Sequence, residues 1–177
     1  MPKSPADRAA LAADLQRART DFRRLLDGAT EHDWDSATKS TRWTNEQLLF
    51  HMVFGYMIVR RLIVLVRIFG RLPDRVSRSF AWLLDAVGRP FHTINFYGTC
   101  AAALVYNRRR MGRKMNREID KLQRSLARED GSSFRRGMHY PTSWDPYFRR
   151  YMTLADIYRY AGQHYDHHRQ QLTLTNV

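Results

Sequence analysis

The stretch TNEQ at residues 44–47 is followed at once by LLFHMVFGYMIVRRLIVLVRIF, residues 48–69. A hydroxyl residue with an amide three positions later has the spacing of a capping box, which marks the start of a helix. The apolar run behind it contains His51 and three arginines. Its aliphatic core at 62–66 is too short to cross a bilayer, and the arginines would lie at membrane depth. The sequence therefore predicts a long buried helix here, not a membrane span.

Three other segments show apolar residues at the three- and four-residue steps of an amphipathic helix. They cover about 4–27, 100–128 and 147–174, and the last begins near a second start signal, Thr-x-x-Asp at 153–156. Gly28 is expected to end the first of them. No stretch shows convincing strand alternation. The pattern predicts an all-α fold, a four-helix bundle forming a single domain over residues 1–177.

The segment from about 70 to 98 is less regular, because glycines and prolines punctuate it. It leaves room for one shorter helix around 77–87. We interpret it as a helical or loop insertion between the second and third bundle helices that adds to the core or covers a site. The alternative is an amphipathic piece that contacts a membrane surface.

The chain is strongly basic, with 30 Lys and Arg against 17 Asp and Glu, a net charge of +13. Charge alone does not choose among nucleic acid, an anionic membrane and an anionic small molecule. No helix-turn-helix, zinc-finger or aromatic-basic sheet pattern is recognisable, so we expect no specific nucleic-acid partner. The excess of arginine over lysine is typical of a GC-rich genome and favours a bacterial source. One cysteine and a polar start predict a cytoplasmic protein.

His164 and His168 are four residues apart on one helical pattern, so both imidazoles can reach one point beside the helix. This is a common way for a helix to present two nitrogen ligands to a metal. Asp166 is expected to face away, and His167 to be a neighbour of the pair. His51 is the natural third ligand, although a hydrogen-bonded core histidine is the alternative for that position.

Other side chains could support such a site. Tyr160 and Gln171 lie one turn from the histidine pair and could orient its rings, with core or helix-contact roles as the alternative. The loop residues His139 and Tyr140 could line the mouth and carry protons, with a plain loop pair as the alternative. Cys100, at the start of a helical pattern, could have a lowered pKa, with a buried and inert role as the alternative.

The chain resembles the DinB-like superfamily of metal-binding four-helix bundles, which includes YfiT-like proteins and thiol-dependent S-transferases. Three stretches carry the resemblance: Phe22 to Leu26 leading to WTNEQLLFH at 43–51, MTLAD at 152–156, and HYDHHRQQL at 164–172. They have the order and approximate separation of the family's landmarks, and together they span nearly the whole chain.

The resemblance implies that His51, His164 and His168 bind a divalent metal ion, zinc or nickel before others. It also implies activation of a low-molecular-weight thiol, or of water, for transfer or hydrolysis on a small-molecule substrate, and a possible homodimer. Arg169 and the Arg108 to Arg110 run are candidates to hold an anionic thiol, with solvent-facing arginines as the alternative.

Two other functions stay open at this stage. One is a non-catalytic metal- or small-molecule-binding module related to stress, since many relatives have no assigned reaction. The other is a binder of membrane surfaces or nucleic acid that acts through its positive charge. A longer 70–98 insertion than a simple loop requires could also change the substrate or create a docking surface.

Overall fold

A computed structural model describes residues 5–86 and 88–175, and these residues are mostly helical, as the sequence predicts. The helices are α1 (Pro5–Gly28), α2 (Glu31–Asp35), α3 (Asn45–Phe69), α4 (Asp74–Ala86), α5 (Gly88–Val105), α6 (Arg108–Ala127) and α7 (Leu154–Arg169). A 3₁₀ turn at Ser133–Arg135 precedes two strands, β1 (Gly137–His139) and β2 (Tyr151–Thr153).

α1, α3, α6 and α7 pack against one another around the core. α3 contacts both α6 and α7, and α1 contacts the same two helices from the other side. Each contributes apolar side chains that are almost completely buried, among them Leu15, Phe22, Met52, Ile63, Met115, Ile119, Ile157 and Tyr165. Burial of these faces is the main driving force for the arrangement.

Both predicted helix starts are confirmed. The Thr44 side chain accepts from the backbone N–H of Gln47, and the Gln47 side chain accepts from the Thr44 backbone, which completes the capping box of α3. Thr153 and Asp156 form the same reciprocal pair at the start of α7. These boxes satisfy orphan N–H groups and fix where the two histidine-bearing helices begin.

The buried amide of Asn45 ties the chain after α7 to the start of α3. Its Nδ2 donates to the Thr173 hydroxyl at 3.0 Å and to the Asp33 carbonyl at 2.8 Å, and its Oδ1 accepts from the Thr173 backbone at 3.0 Å. The end of α7 is thereby held beside the first turns of α3.

The predicted helix at 100–128 is wrong as one element. The chain breaks at Tyr106 and Asn107, where the Asn107 side chain accepts from the Arg109 N–H and starts α6 anew. The residues before the break belong to α5, so Cys100 lies well inside a helix instead of at a helix start. The helix expected at 77–87 is α4, and its predicted last residue, Val87, lies outside the described residues.

The expectation that the fold has no strands was also wrong, because two short strands are present. β1 and β2 pair antiparallel, with Met138 opposite Met152, in a segment that composition alone marks as a loop. Three-residue strands are too short to show an alternation pattern in sequence. β1 packs against α4, and β2 leads directly into α7.

By length and composition alone, α3 is long and apolar enough to cross a membrane, with a mean hydropathy of 1.8 in its most apolar stretch. Of that stretch, 56% is buried inside the protein. Packing against α6 and α7 accounts for much of this buried share, whereas Val64 and Ile68 near the end of α3 are exposed.

Glu118 on α6 is fully buried, and three cations surround its carboxylate. The Arg60 Nε of α3 lies 2.8 Å from it, Lys114 Nζ 3.2 Å and Lys121 Nζ 3.3 Å. These cations hold the pKa of Glu118 below its ordinary value against the opposing effect of burial. The network is an electrostatic link between α3 and α6.

Replacement of Glu118 by Gln should lower the free energy of unfolding by about 1–3 kcal/mol, because it leaves three partly buried cations without their buried counter-charge. Asp120 on the same helix is far more exposed than Glu118, pairs with Arg19 and is the matched control. Asp120→Asn should cost less than about 1 kcal/mol. Urea unfolding of both variants checks this, and equal effects would contradict a special role for the buried carboxylate.

Candidate metal centre

Three histidines from two helices meet in the interior of the protein. His51 comes from the second turn of α3, and His164 and His168 come from successive turns of α7. One ligand nitrogen from each lies within 4.8 Å of those from the other two. The ring centroids are 4.6 Å apart for His164 and His168, and 4.7 and 5.2 Å from His51 to His168 and His164. The structure therefore brings together the three residues that the sequence singles out.

Burial keeps these imidazoles neutral. His51 and His164 are each 6% exposed, and His168 is partly buried. Burial, helped by the nearby His168, lowers the pKa of His51 to about 3. Burial, partly offset by a hydrogen bond to Gln171, lowers the pKa of His168 to about 4. The pKa of His164 falls well below its ordinary value for the same reason, with a further contribution from the other histidines.

Two hydrogen bonds orient the rings. The Nδ1 of His168 lies 2.7 Å from the Gln171 Oε1, which is an acceptor, so this nitrogen carries the proton and Nε2 keeps its lone pair. The Nδ1 of His51 lies 3.3 Å from the Thr99 hydroxyl of α5. Outer partners of this kind set the tautomer of a metal-ligating histidine. Gln171 makes this contact with His168, and its supporting role at a metal stays a prediction.

His164 is positioned by a missing side chain. A Cβ on Gly55 of α3 would lie 2.5 Å from the His164 Nδ1 and 2.7 Å from its Cε1. Only glycine lets this imidazole lie so close to α3. Sequence gives no signal of this, because the contact joins residues far apart in the chain.

An aromatic stack covers one side of the histidine group. Trp43 stacks on His51 with centroids 4.4 Å apart, and Phe96 of α5 stacks on Trp43 at 5.9 Å. The Arg42 guanidinium carbon lies 4.2 Å from the centroid of Phe96. Together with Thr99, these contacts place α5 over the group. Trp43 belongs to the stretch that carries the family resemblance, but Arg42, Phe96 and Thr99 were missed.

The neighbour role expected for His167 is consistent with its contacts. Its ring centroid is 5.0 Å from that of His168, and its Nδ1 lies 3.3 Å from the Tyr147 hydroxyl. Tyr160 stands 5.6 Å, centroid to centroid, from His164 and donates its hydroxyl to Asp145 at 2.8 Å. Burial raises the pKa of Asp145 and, well above its ordinary value, that of Tyr160. The tyrosine therefore keeps its proton at neutral pH.

The remaining residues expected near the site make contacts elsewhere. His139 bonds through Nδ1 to the Ser77 hydroxyl of α4 at 3.1 Å, and the buried Tyr140 ring packs on Phe148. Arg169 Nε donates to Asp21 of α1 at 3.1 Å. Their roles at the site stay predictions.

Asp166 faces away from the histidines, as expected, and pairs with Arg17 of α1 at 2.9 Å. Arg108 pairs with Glu31 at 2.5 Å. Cys100 is partly buried and lines a surface cavity together with Trp34 and other residues of α5. None of the three histidines lines this cavity.

Fold and site together define a mostly helical protein with a buried three-histidine group that could hold a metal ion. The chain belongs to the DinB superfamily, whose family model matches residues 14–172 of the 177. Searches of curated proteins and of solved structures gave no match.

The residues present fit a late divalent ion. The donor set is three neutral imidazoles, which suit zinc, nickel and similar ions. Two rings already carry outer partners at Nδ1, which leaves Nε2 as the donor. No carboxylate or thiol belongs to the group among the described residues.

Replacement of Gly55 by Ala should push the His164 ring out of position and weaken zinc binding by at least about tenfold, the scale of a lost orienting contact. Gly98→Ala on α5 is the control, since nothing lies within 4 Å of a Cβ there. Zinc titration of both folded variants, with helicity checked by circular dichroism, measures this. Unchanged zinc affinity in a folded Gly55→Ala variant would contradict the assigned packing.

The depressed histidine pKa values predict a pH dependence for the metal-free protein. Between the ordinary pKa of 6.5 and the folded values of about 3 and 4, the unfolded chain binds more protons than the folded chain. The free energy of unfolding should thus be highest above pH 6.5 and fall as the pH falls toward 5, before most carboxylates titrate.

Urea unfolding in the presence of a chelator at a series of pH values checks this. His164→Gln should reduce the slope, whereas replacement of the exposed His32 by Gln should leave it unchanged. A stability that does not vary between pH 7 and 5 would show that the three rings are not held neutral.

Proposed function

We propose that this protein binds zinc or nickel through His51, His164 and His168 and uses the site to activate a low-molecular-weight thiol, or water, for transfer to or hydrolysis of a small molecule. The observation that carries the proposal is the donor set: three buried neutral imidazoles and no fourth protein ligand in the described group. A structural zinc site normally has four protein ligands, whereas three leave a position for an exchangeable molecule.

When bound, a divalent cation lowers the pKa of a coordinated thiol or water, so that the nucleophilic anion is available near neutral pH. The protein's own part is to hold the three rings. Gln171 fixes His168 through Nδ1, Thr99 contacts His51, and Gly55 admits His164. The neutral state of the rings at pH 7 favours metal binding, because protons do not compete for the nitrogens.

We assign recognition of the thiol to Arg42, which lies at the outer end of the aromatic stack. Arg42 is exposed, lies over Phe96, and is connected through Trp43 to His51. A guanidinium held in this way pairs well with a carboxylate. We therefore propose Arg42, which the sequence did not single out, as the contact for an anionic thiol. Trp43 and Phe96 offer an apolar wall for the acceptor substrate.

The finer architecture belongs to the same proposal. α1, α3, α6 and α7 are taken as the family's four-helix bundle, with α4 and α5 as the insertion, which then extends to about residue 105 instead of 98. The Thr99 and Phe96 contacts support a covering role for α5. We also expect the protein to be bacterial and cytoplasmic, with a homodimer as a possible assembly.

Turnover tests the proposal directly. Zinc- or nickel-loaded protein should accelerate the reaction of N-acetylcysteine with 1-chloro-2,4-dinitrobenzene, and a chelator should abolish the acceleration. His168→Ala should fall to background while His32→Ala stays active, because only the first removes a ligand. Arg42→Gln should raise the KM for the anionic thiol with little change in kcat. Activity that survives complete metal removal would contradict the mechanism.

The second candidate is a metal-binding module without turnover. It is favoured by the close cover of Trp43 and Phe96 over one side of the histidine group. One bound metal per chain without acceleration across a panel of thiols, water and electrophiles would support it over the enzyme.

A further inference from the structure

A concave site lies between α1 and α6, apart from the histidine group, which lies between α3 and α7. It is a cavity of about 330 Å³. Five arginines line it, and one carboxylate, that of Asp27, is described among the lining residues; the arginines are Arg19, Arg23, Arg108, Arg109 and Arg113. The charged residues of the cavity come from two short stretches, 19–27 of α1 and 108–113 of α6, and positive charges outnumber negative ones there.

Two of the five arginines are already paired. Arg19 bonds to Asp120 at 2.5 Å and Arg108 to Glu31 at 2.5 Å. Arg23, Arg109 and Arg113 are exposed and make no ion pair with another residue in the described parts of the chain. Uncompensated like charges that share one cavity repel each other and destabilise the compact state. An anion bound in the cavity would remove that cost.

The cavity lining also contains apolar side chains. Phe22 is 1% exposed and therefore covered by its neighbours, so the partly buried Leu26 supplies most of the apolar base. Gly112 stands between Arg109 and Arg113 on α6, where a Cβ would lie 2.9 Å from the Leu26 Cδ1. The glycine thus lets α6 approach α1 closely and adds no side chain to the cavity. The result is an apolar base surrounded by guanidinium groups.

We propose that this cavity binds a small phosphorylated molecule, with Arg23, Arg109 and Arg113 holding its phosphate groups. The planar guanidinium matches the geometry of phosphate oxygens and forms paired, charge-assisted hydrogen bonds with them. The volume is at the lower end of the range for small-molecule sites, and the apolar base suits the organic part of a phosphate ester. The site does not depend on the metal centre.

Calorimetric titration with inorganic pyrophosphate at about 0.15 M ionic strength tests the proposal. We expect saturable binding at one site per chain. Arg23→Gln with Arg113→Gln should weaken it by at least about tenfold, because two charge-assisted contacts are lost. The matched control is Arg124→Gln with Arg128→Gln, which removes two exposed arginines at the C-terminal end of α6. It should change the affinity by less than about twofold.

Three results would overturn the proposal. One is the absence of saturable pyrophosphate binding by the unaltered protein. Another is equal weakening in both double variants, which would indicate diffuse attraction by net charge. The third is that a single-stranded oligonucleotide binds more tightly than pyrophosphate and is weakened equally by both pairs, which would make the surface a nucleic-acid face. Loss of the metal site by His168→Ala should leave pyrophosphate binding unchanged.

Discussion

Three imidazoles share a small volume between α3 and α7, where water is largely excluded, and they have to remain uncharged there. Protonation of any one of them would bury a charge beside two other rings, and this is why burial lowers the pKa of all three. The surrounding structure meets this constraint with specific contacts: an amide on His168, a hydroxyl on His51 and a glycine beneath His164. The helix starts, the packing of α3 on α7 and the cover of α5 all serve to keep these rings in place.

Much of this could be derived from the sequence, because the signals are local. The capping residues Thr44 and Thr153 fix the beginning of α3 and α7, and the four-residue spacing of His164 and His168 fixes their common face. His51 follows from its place two turns into the capped helix together with the family resemblance. Each of these depends on residues within about two helical turns.

The parts that were missed depend on contacts between distant residues. Phe96 and Thr99 reach the site only because α5 folds back over α3, and Gly55 matters only because His164 lies against it. The break at Asn107 was hidden because apolar spacing continues across it, and a single capping side chain is a weak signal inside a long amphipathic pattern. The pairing of Met138 with Met152 is likewise a long-range event.

The measurement that tests the account most directly is the metal content of the purified protein after loading with zinc and removal of excess, determined by elemental mass spectrometry. The account predicts about one zinc per chain, retained by His32→Ala and lost by both His51→Ala and His168→Ala with the helical fold intact. Folded wild-type protein that retains no zinc or nickel, or a His51→Ala variant that retains as much as the wild type, would contradict it.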